Sequence, residues 1–414
     1  MPGCRAIRGT LDETVSVLQD PAYRRLWVSG LCSNMARWMD LVAVGWIALQ
    51  MTGSPFLVAV AAFARSAPMM VFGPFAGIVA DRVSRAHLLL VTQAGGAVVA
   101  AALLTMFAVD AAGYWPLVAL EGGFGILWSL DFPARRTALF SILGAARVAQ
   151  AVSLETVSMQ IAKMVGPVVA GACLASLGPA ACYAAMVVAF LVGLAATFGL
   201  RRRIESSPAA IPAPILATLA SGLAAAWASP IARAVLLITI AMNVLLFPYQ
   251  QLLSVFAQDV LAGGPRTLGL LVAADGVGAL AGALAIAAYH GSLPHGRLFA
   301  SAVLVAPFVL AAFSASRSLA VSVALMVAIG IAESGFAAMQ STLVLLSAPA
   351  HARGGAVGIL SACIGTQPLG TLAIGALAGT LGAPRAFAIN AIVALTVIAP
   401  VAIPLARGRG VMRR

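Results

Sequence analysis

The side chains best suited to chemistry in this 414-residue sequence are ionisable groups placed inside long apolar stretches. They stand near the middle of predicted helices and are Arg37, Asp40, Arg65, Glu121, Lys163, Asp275 and Glu333. An ionised group at the centre of a membrane span costs about 2.5–3.5 kcal/mol on insertion scales, so it is seldom retained without a role. A poorly solvated cavity favours the neutral form of a carboxyl, which can then bind and release a proton near neutral pH. These positions therefore predict proton exchange or charge pairing inside a membrane.

The carboxyls differ in what stands next to them along the sequence. Glu121, Asp275 and Glu333 lack a neighbour of opposite charge on their own helix. We expect at least one of these three to exchange protons, with Glu121 and Glu333 the first choices because their spans are related by an internal repeat. The alternative is a carboxyl that stays neutral or pairs across helices with Arg65 or Lys163. Asp40 lies three residues after Arg37, so these two side chains can neutralise each other, which would be a structural role in place of a coupling role.

Cationic and polar side chains in the same spans suggest a ligand cavity. Arg37, Arg65 and Lys163 all belong to the first half of the chain, where they could attract an anionic or phenolic ligand. Pairing with Glu121 and Glu155 is the alternative role for Arg65 and Lys163. The predicted wall residues, which either hold a ligand or join helices, are Asn34, Trp38, Asn243, Tyr249, Gln250 and Gln340.

The elements that position these groups follow from composition. The chain is 62% hydrophobic and only 9% charged, whereas soluble domains carry charge at roughly a quarter of their positions. Because about 20 apolar residues cross a bilayer, the pattern predicts an all-α integral membrane protein with twelve spans. The predicted spans are 23–50, 55–80, 88–109, 114–131, 148–176, 179–200, 231–258, 267–289, 297–314, 318–346, 356–381 and 385–405.

The halves of the chain repeat one another. Gly166, Gly171 and Tyr183 in the first half correspond at a constant spacing to Gly370, Gly375 and Phe387 in the second. Six spans per half is an even number, so both halves insert in the same sense, an arrangement of transporters whose site lies between the halves. We expect a six-helix bundle over residues 1–200, a linker over 201–230 with a surface helix near 215–227, and a second six-helix bundle over 231–414.

The net charge of +12 sets orientation and is not a nucleic-acid footprint. Of the 25 basic residues only Lys163 is a lysine, and most of the arginines stand at the ends of apolar runs without interleaved aromatics. Counting arginines in alternate loops places both termini in the cytosol, because one set of loops holds only Arg266, Arg317 and Arg385. The excess of arginine over lysine, with abundant alanine and glycine, indicates a GC-rich bacterial source, so the expected location is the bacterial cytoplasmic membrane, crossed many times.

Several function classes are excluded by missing motifs. No phosphate-binding GxxxxGK[ST] loop occurs, which argues against an ATP-driven pump subunit. No histidine falls within a span and the cysteines are not clustered, so neither a metal site nor another cofactor is expected. The chain is not expected to be an enzyme. The expected partners are a small-molecule substrate, protons and membrane lipids, with the chain acting as a monomer and binding no nucleic acid.

A charged loop joins the second and third predicted spans. Gly73 and Gly77 lie on one helix face and permit close helix contact. The loop then places its charges opposite those that follow the fourth span, as a cluster that holds one end shut until a rearrangement breaks it. The alternative is a loop whose charges serve insertion only. The candidate gate residues are Gly77, Asp81, Arg82, Arg85, Asp131 and Arg135.

Residues 77–85 resemble the loop motif of the major facilitator superfamily. Further segments resemble its twelve-span exporter branch, which includes enterobactin-type siderophore exporters and macrolide efflux proteins: residues 63–68, 131–135, 165–171, 247–249 and 256–261. The resemblance implies that Asp81, Arg85 and Asp131 form a cytosolic gate. It also implies that Gly166, Pro167 and Gly171 belong to a fifth-span motif associated with antiporters.

The sequence departs from that branch at informative positions. Ala36 and Arg37 precede Trp38 where the branch has Gly-Asp, and Lys163 stands where its fifth-span motif carries Arg. Asp275 and Glu333 replace residues that are generally apolar in the branch. These departures argue against assuming the particular substrate of any one member of the branch.

The predicted function is proton-coupled efflux of an amphipathic organic molecule, such as a siderophore, antibiotic or other secondary metabolite, by alternating access. An importer of the same fold coupled to protons is the first alternative. A lipid flippase and a sensor that binds ligand without transporting it are the others.

Overall fold

The computed structural model describes residues 17–82, 84–200, 215–288, 294–349 and 353–407, and within these ranges the chain is helical with no strand. The side chains of 73–82 and of several residues in 140–149 and 215–225 are outside the description. The helices are α1 (Pro21–Thr52), α2 (Pro55–Arg82), α3 (Arg85–Ala108), α4 (Tyr114–Ser176), α5 (Pro179–Phe198), α6 (Ile215–Ala228), α7 (Pro230–Ala241), α8 (Leu253–Asp259), α9 (Pro265–Ala288), α10 (His295–Ala315), α11 (Leu319–Ser347), α12 (Arg353–Ile364), α13 (Gln367–Leu381) and α14 (Ala383–Ala406).

Among the described residues, eleven helical segments are long and apolar enough to cross a membrane. They correspond to the predicted spans two to twelve, with the fourth extending further than predicted. Helix α1 corresponds to the first predicted span and is long enough at 32 residues, but Arg24, Arg25, Arg37 and Asp40 make it more polar than the others. The multi-pass helical architecture is therefore confirmed, although α1 is not among the eleven segments.

Local signals in the sequence explain where the helices begin and end. The Asp20 carboxylate caps α1 by accepting from the backbone N–H groups of Ala22 and Tyr23. Gly53 ends α1 with φ 61°, a left-handed conformation that favours glycine. Ser229 caps α7 in the same way as Asp20, through the N–H of Ala232.

The prediction that the fourth span ends at 131 is wrong, because the helix continues. Tyr114–Ser176 is helical throughout except at Gly144, where φ is 67° and ψ is 175°. Pro133 lies inside this helix and does not end it. A single non-helical residue therefore connects the fourth and fifth predicted spans, where the sequence predicted a loop of sixteen residues.

The seventh predicted span is broken near its middle. After α7 the backbone runs as a π-helix over Met242–Leu246 and as a 3₁₀-helix over Phe247–Leu252 before α8 begins. Pro248 lacks an N–H and cannot continue the α-helical hydrogen bonds. The Asn390 amide donates to the Leu245 carbonyl oxygen at 3.0 Å, so one of the carbonyls freed by the break is satisfied.

The largest helix contacts lie mostly within one half of the chain, and two further large contacts join the halves. In the first half (α1–α5), α1 and α2 pack on α4 and α3 packs on α5; in the second half (α7–α14), α9 packs on α11 and α10 on α14. Between the halves, α9 packs on the second part of α4, and α13 packs on α2. The division at residues 200 and 231 remains a prediction.

The end of the bundle with the turns at Gly53, Leu177, Gly263 and Gly382 carries few basic residues, and we call it the arginine-poor end. The halves contact each other closely there. A Cβ at Gly171 would lie 2.6 Å from the Pro265 carbonyl oxygen, and the Gln50 amide donates to Gln258 at 2.6 Å. The opposite end is the arginine-rich end.

Candidate functional site

Five side chains form a buried polar cluster where the halves meet, and we call it the Lys163 cluster: Lys163, Tyr249, Gln250, Asp275 and Glu333. The Lys163 Nζ lies 2.8 Å from Asp275 Oδ2 and 3.3 Å from Glu333 Oε2. The Gln250 amide donates to Asp275 Oδ2 at 3.2 Å and to Glu333 Oε1 at 3.0 Å, and the Tyr249 hydroxyl donates to Glu333 Oε1 at 3.3 Å. Two carboxylates thus share one ammonium.

The Lys163 cluster is deeply buried. Asp275 is 1% exposed and Glu333 8%, so both carboxylates depend on their protein partners. The Lys163 ammonium also lies 5.2 Å from the centroid of the Trp38 ring, within the range of a cation–π contact. Asp275 Oδ1 has no hydrogen-bond partner among the described residues. Lys163 and Trp38 come from the first half, and the other four residues from the second.

A second cluster lies mainly within the first half, and we call it the Arg65 cluster: Asp40, Arg65, Glu121 and Gln251. Arg65 Nη1 lies 3.8 Å from Asp40 Oδ2, and Nη2 donates to Gln251 Oε1 at 3.2 Å. Gly125 lets α4 approach the backbone of Arg65 closely, since a Cβ there would collide with the Arg65 carbonyl. Asp40 therefore pairs with Arg65 across helices and not with Arg37 three residues before it.

Glu121 is fully buried in the Arg65 cluster. Its carboxyl has Asp40, Arg65 and Tyr183 among its neighbours. Within the part of the chain that the structure describes, neither carboxyl oxygen of Glu121 nor the Tyr183 hydroxyl has a hydrogen-bond partner. A buried polar group without a partner is costly, so Glu121 depends on the neighbouring Asp40 and Arg65 side chains.

Two consecutive residues connect the two clusters. Gln250 donates to the carboxylates of the Lys163 cluster, whereas Gln251 accepts from Arg65 in the other cluster. Both lie in the 3₁₀ segment Phe247–Leu252, where the broken helix directs neighbouring side chains towards different helices. Irregular backbone within a span is tolerated where it lies in protein, as it does here.

A cavity of about 200 Å³ adjoins the Arg65 cluster. This volume is large enough for several water molecules, at roughly 30 Å³ each. It extends from the level of Asp40 and Arg65 to that of Asp131, towards the arginine-rich end. Its lining includes Arg37, Met69, Phe124, Trp128, Phe190 and Gln367. Apolar and aromatic walls with a few charges are typical of sites for organic ligands.

Arg37 lies against an aromatic ring in this cavity. Its guanidinium carbon is 3.9 Å from the centroid of the Trp128 ring and 5.9 Å from that of Trp38. The predicted neutralisation of Arg37 by Asp40 is replaced by cation–π stacking, because α4 brings Trp128 to the face of α1 that bears Arg37.

The candidate gate residues separate into distinct contacts. Arg135 donates to both Asp131 oxygens, at 3.1 and 3.0 Å, and to the Leu26 carbonyl at 3.1 Å, while Thr92 donates to Asp131 at 2.9 Å. Arg85 donates to Ser141, so the expected contact between Arg85 and Asp131 is absent from the described part of the chain. Gly77 and the side chains of Asp81 and Arg82 fall in the part of α2 for which the structure describes no contacts.

The glycines of the fifth-span segment make close helix contacts. A Cβ at Gly166 would lie 3.1 Å from the Met35 carbonyl oxygen and from Trp38 Cβ. A Cβ at Gly269 of α9 would collide with the Pro167 carbonyl, and Gly171 meets Pro265. This segment thus joins α1 within the first half and α9 across the halves.

The remaining predicted wall residues lie away from the cavity. The Asn243 amide donates to the Thr239 carbonyl at 2.9 Å, and the Thr239 hydroxyl donates to Gln340 at 3.1 Å. Asn34 lines a smaller pocket beside Asp131 and Arg135. Four residues of the cavity and the Arg65 cluster were not predicted from the sequence: Gln251, Trp128, Phe124 and Phe190. For Gln251, its position next to Gln250 was the available signal.

The sequence is similar to one family of membrane proteins and to several transporters. Residues 13–408 match a family model described as transmembrane secretion effector. The multidrug efflux pump Tap of Mycolicibacterium fortuitum is 25% identical over 368 residues, which cover 87% of this chain and 90% of that protein. The staphyloferrin A transporter of Staphylococcus aureus is 21% identical over 175 residues, 42% of this chain and 44% of that one.

Solved structures share the fold at low identity. A bacterial homologue of the human lysosomal transporter Spinster superposes with a TM-score of 0.71 at 14% identity, over 93% of this chain and 96% of that one. A POT family transporter in complex with a thioalcohol-conjugated peptide superposes with a TM-score of 0.74 at 12% identity, with the same coverage of both chains. Such likenesses describe the helix arrangement alone.

Proposed function

Since this chain belongs to the transmembrane secretion effector family of major facilitator transporters, we propose that it exports an amphipathic organic small molecule in exchange for protons. The observation that carries the proposal is the aromatic and methionine-lined cavity beside the Arg65 cluster. The cavity offers apolar walls together with Asp40, Arg37 and Gln251, which suits a molecule with both apolar and polar parts. The names of the relatives, a multidrug efflux pump and a siderophore transporter, support this class of cargo.

The transport cycle is alternating access. Twelve spans, with α1 as the first and both termini in the cytosol, form halves over residues 1–200 and 231–414 that rock about the site. The arginine-rich end then faces the cytosol, by the positive-inside rule. Contacts such as Gln50 with Gln258 close the outer end, while the cavity extends towards the cytosol. The chain works as a monomer in a bacterial cytoplasmic membrane.

Proton exchange resides in the embedded carboxyls Asp40, Glu121, Asp275 and Glu333. Each lies next to another carboxyl in its cluster, so that a single proton changes the charge balance of the pair. Asp131 and Arg135 act at the cytosolic end as part of the gate, together with Gly77, Asp81, Arg82 and Arg85. Pro167 and Gly171 provide the close contacts with α9 that form and part during the cycle, while Gly166 holds α4 against α1 within the first half.

The test uses everted membrane vesicles whose lumen is made acidic. Candidate siderophores and antibiotics are added one at a time while lumen pH and substrate uptake are followed. We expect uptake accompanied by loss of luminal protons in the wild type, and loss of both in Glu121→Gln and in Glu333→Gln. Asp110→Asn is the matched control, because Asp110 is exposed and its left-handed backbone tolerates asparagine.

The possible outcomes separate the alternatives. Substrate that leaves the lumen together with protons would identify an importer in place of an exporter. Uptake that needs no gradient, with both glutamine variants behaving as wild type, would overturn proton coupling. Equilibration of a fluorescent lipid between leaflets, without flux of any soluble candidate, would identify a flippase.

A further inference from the structure

The Lys163 cluster contains two carboxylates and one ammonium. Asp275 and Glu333 come from α9 and α11 in the second half, whereas the only cation that contacts them in the described structure is Lys163 from the first half. Tyr249 is the other titratable group that faces them, from the 3₁₀ segment, and Gln250 and Trp38 are neutral. Separating the halves at this point removes the ammonium from both carboxylates at once.

The backbone contacts around Lys163 link this pairing to closure of the arginine-poor end. A Cβ at Gly276 would lie 3.1 Å from the Lys163 carbonyl carbon, so α4 and α9 touch at the level of the cluster. The same two helices touch again at Gly269 and at Pro265, nearer the arginine-poor end. The ammonium therefore reaches the carboxylates when this seam is closed, and is withdrawn with its helix when the seam opens.

Two carboxylates left side by side without a cation repel each other, and at least one of them takes up a proton. Returning the ammonium to the site displaces a proton, since a cation paired with both carboxylates favours their charged forms.

We propose that the Lys163 ammonium is a tethered competitor for protons at the two-carboxylate site of Asp275 and Glu333. The ammonium occupies the site while the arginine-poor end is closed, and protons occupy it while that end is open. The direction of proton movement, inwards from the outer side, rests on the orientation given under the proposed function. The competition itself does not depend on the cargo.

The competition has a consequence of definite sign. In the wild type the closed state binds fewer protons than the open state, so acid favours opening. Without the ammonium, closing buries two carboxylates that must be neutralised, so the closed state binds more protons and acid favours closing. Each proton that is linked to closure changes the ratio of closed to open molecules by up to about tenfold per pH unit.

The experiment measures closure by cross-linking in the purified full chain. Cysteines replace Gln50 and Gln258, whose side chains are hydrogen-bonded across the arginine-poor end, in a background without the native cysteines. The yield with a short bifunctional maleimide is followed between about pH 5 and pH 9, with quenching at fixed time and a solvent-exposed cysteine to correct for thiol reactivity.

We expect the wild-type yield to fall towards acid pH, by several-fold over this range, and Lys163→Arg to keep that direction. Lys163→Met should reverse it, with a higher yield in acid. If Lys163→Met does not fold, Lys163→Met/Asp275→Asn provides the same test, because it leaves one buried carboxyl without a cation and should also close better in acid. A yield independent of pH in the wild type, or the same direction with and without the ammonium, would overturn the proposal.

The outcome is independent of the vesicle assay. A reversed pH dependence without drug-dependent proton flux would retain the tethered competitor and reject efflux of the tested cargo. Substrate-dependent proton flux, together with a cross-linking yield of Lys163→Met that still falls towards acid pH, would retain efflux and reject the tethered competitor. A wild-type yield that responds to sodium ions and not to pH would also overturn the assignment of protons to the site.

Discussion

The Lys163 cluster and the Arg65 cluster use the same kinds of side chain in different mechanical settings. In the Lys163 cluster the cation and the carboxylates belong to opposite halves, at 2.8 and 3.3 Å. In the Arg65 cluster Arg65, Asp40 and Glu121 all come from the first half, and the ion pair is looser at 3.8 Å beside the cavity. A movement of the halves must break the first cluster, but in the second it breaks only the contact of Arg65 with Gln251 and can leave the Asp40–Arg65 ion pair intact. The difference indicates that the Lys163 cluster responds to conformation and that the Arg65 cluster responds to what enters the cavity.

The largest expected difference between the clusters is in stability. Lys163→Met should lower the free energy of unfolding by about 3–5 kcal/mol near neutral pH, because it leaves buried carboxylates without their cation. The loss should shrink in acid, where the carboxyls are protonated in both folded and unfolded states and the missing charge no longer matters. Thermal unfolding in detergent measures both effects.

Arg65→Met is the matched variant, and we expect it to cost less because its pair is longer and lies beside the cavity. The triple variant Lys163→Met/Asp275→Asn/Glu333→Gln should recover most of the loss, since no buried charge remains. Equal losses for Lys163→Met and Arg65→Met would contradict the comparison.

The next effect concerns the seam between α4 and α9. Gly269→Leu places a side chain against the Pro167 carbonyl, and overpacking of this kind costs about 1–3 kcal/mol. The cost falls on the closed arrangement, so cross-linking between positions 50 and 258 should decrease about tenfold. Gly122→Ala is the control, because its Cβ would lie 3.8 Å from the Ala64 carbonyl in ordinary contact within the first half. An unchanged cross-linking yield in Gly269→Leu would show that this seam does not govern closure.

A further comparison separates the two consecutive glutamines. Gln250→Leu removes hydrogen bonds to two carboxylates, each worth about 1.5–3 kcal/mol when the acceptor is charged. Gln251→Leu removes one contact with Arg65. We expect Gln250→Leu to weaken the response of closure to pH and to lower the unfolding temperature further than Gln251→Leu does. Gln251→Leu should instead reduce the affinity for transported substrate, measured as a raised KM in the vesicle assay.

The smallest effect is expected at the surface of the arginine-poor end. Gln50→Ala removes one exposed hydrogen bond to Gln258, with a net contribution of about 0.5–1.5 kcal/mol. Transport rates should change less than about tenfold, and the pH direction of closure, followed by a fluorophore in place of the cross-link, should be that of the wild type. A complete loss of transport would mean that this contact has a role beyond holding the ends together.

The spans could be predicted from sequence because each is a long apolar run bounded by turn residues. Gly53, Gly178 and Gly382 mark the connections, and all three have positive φ. The connection at Gly144 was not predicted because the charged and polar residues within 132–147 suggested a loop, yet these residues continue the helix. Helix continuation there depends on packing of α4 against α1, which no local pattern encodes.

The embedded charges were predictable as a set, but their partners were not. Spacing along one helix favoured Arg37 with Asp40, whereas the structure pairs Asp40 with Arg65 and stacks Arg37 on Trp128. Lys163 contacts Glu333, which lies 170 residues further along the sequence. Such pairs depend on how each helix is rotated about its axis, and that rotation is decided by glycine contacts such as Gly276 with α4.

The isolation of Lys163 has a spectroscopic consequence. The other 24 basic side chains are arginines, so the amino terminus apart, the protein has a single primary amine. A sample with isotopically labelled lysine would give one side-chain ammonium resonance, whose position reports whether that nitrogen is held between two carboxylates or hydrated. An amine-acylating reagent would likewise modify one internal atom, and the rate of its incorporation would record how often the buried seam opens.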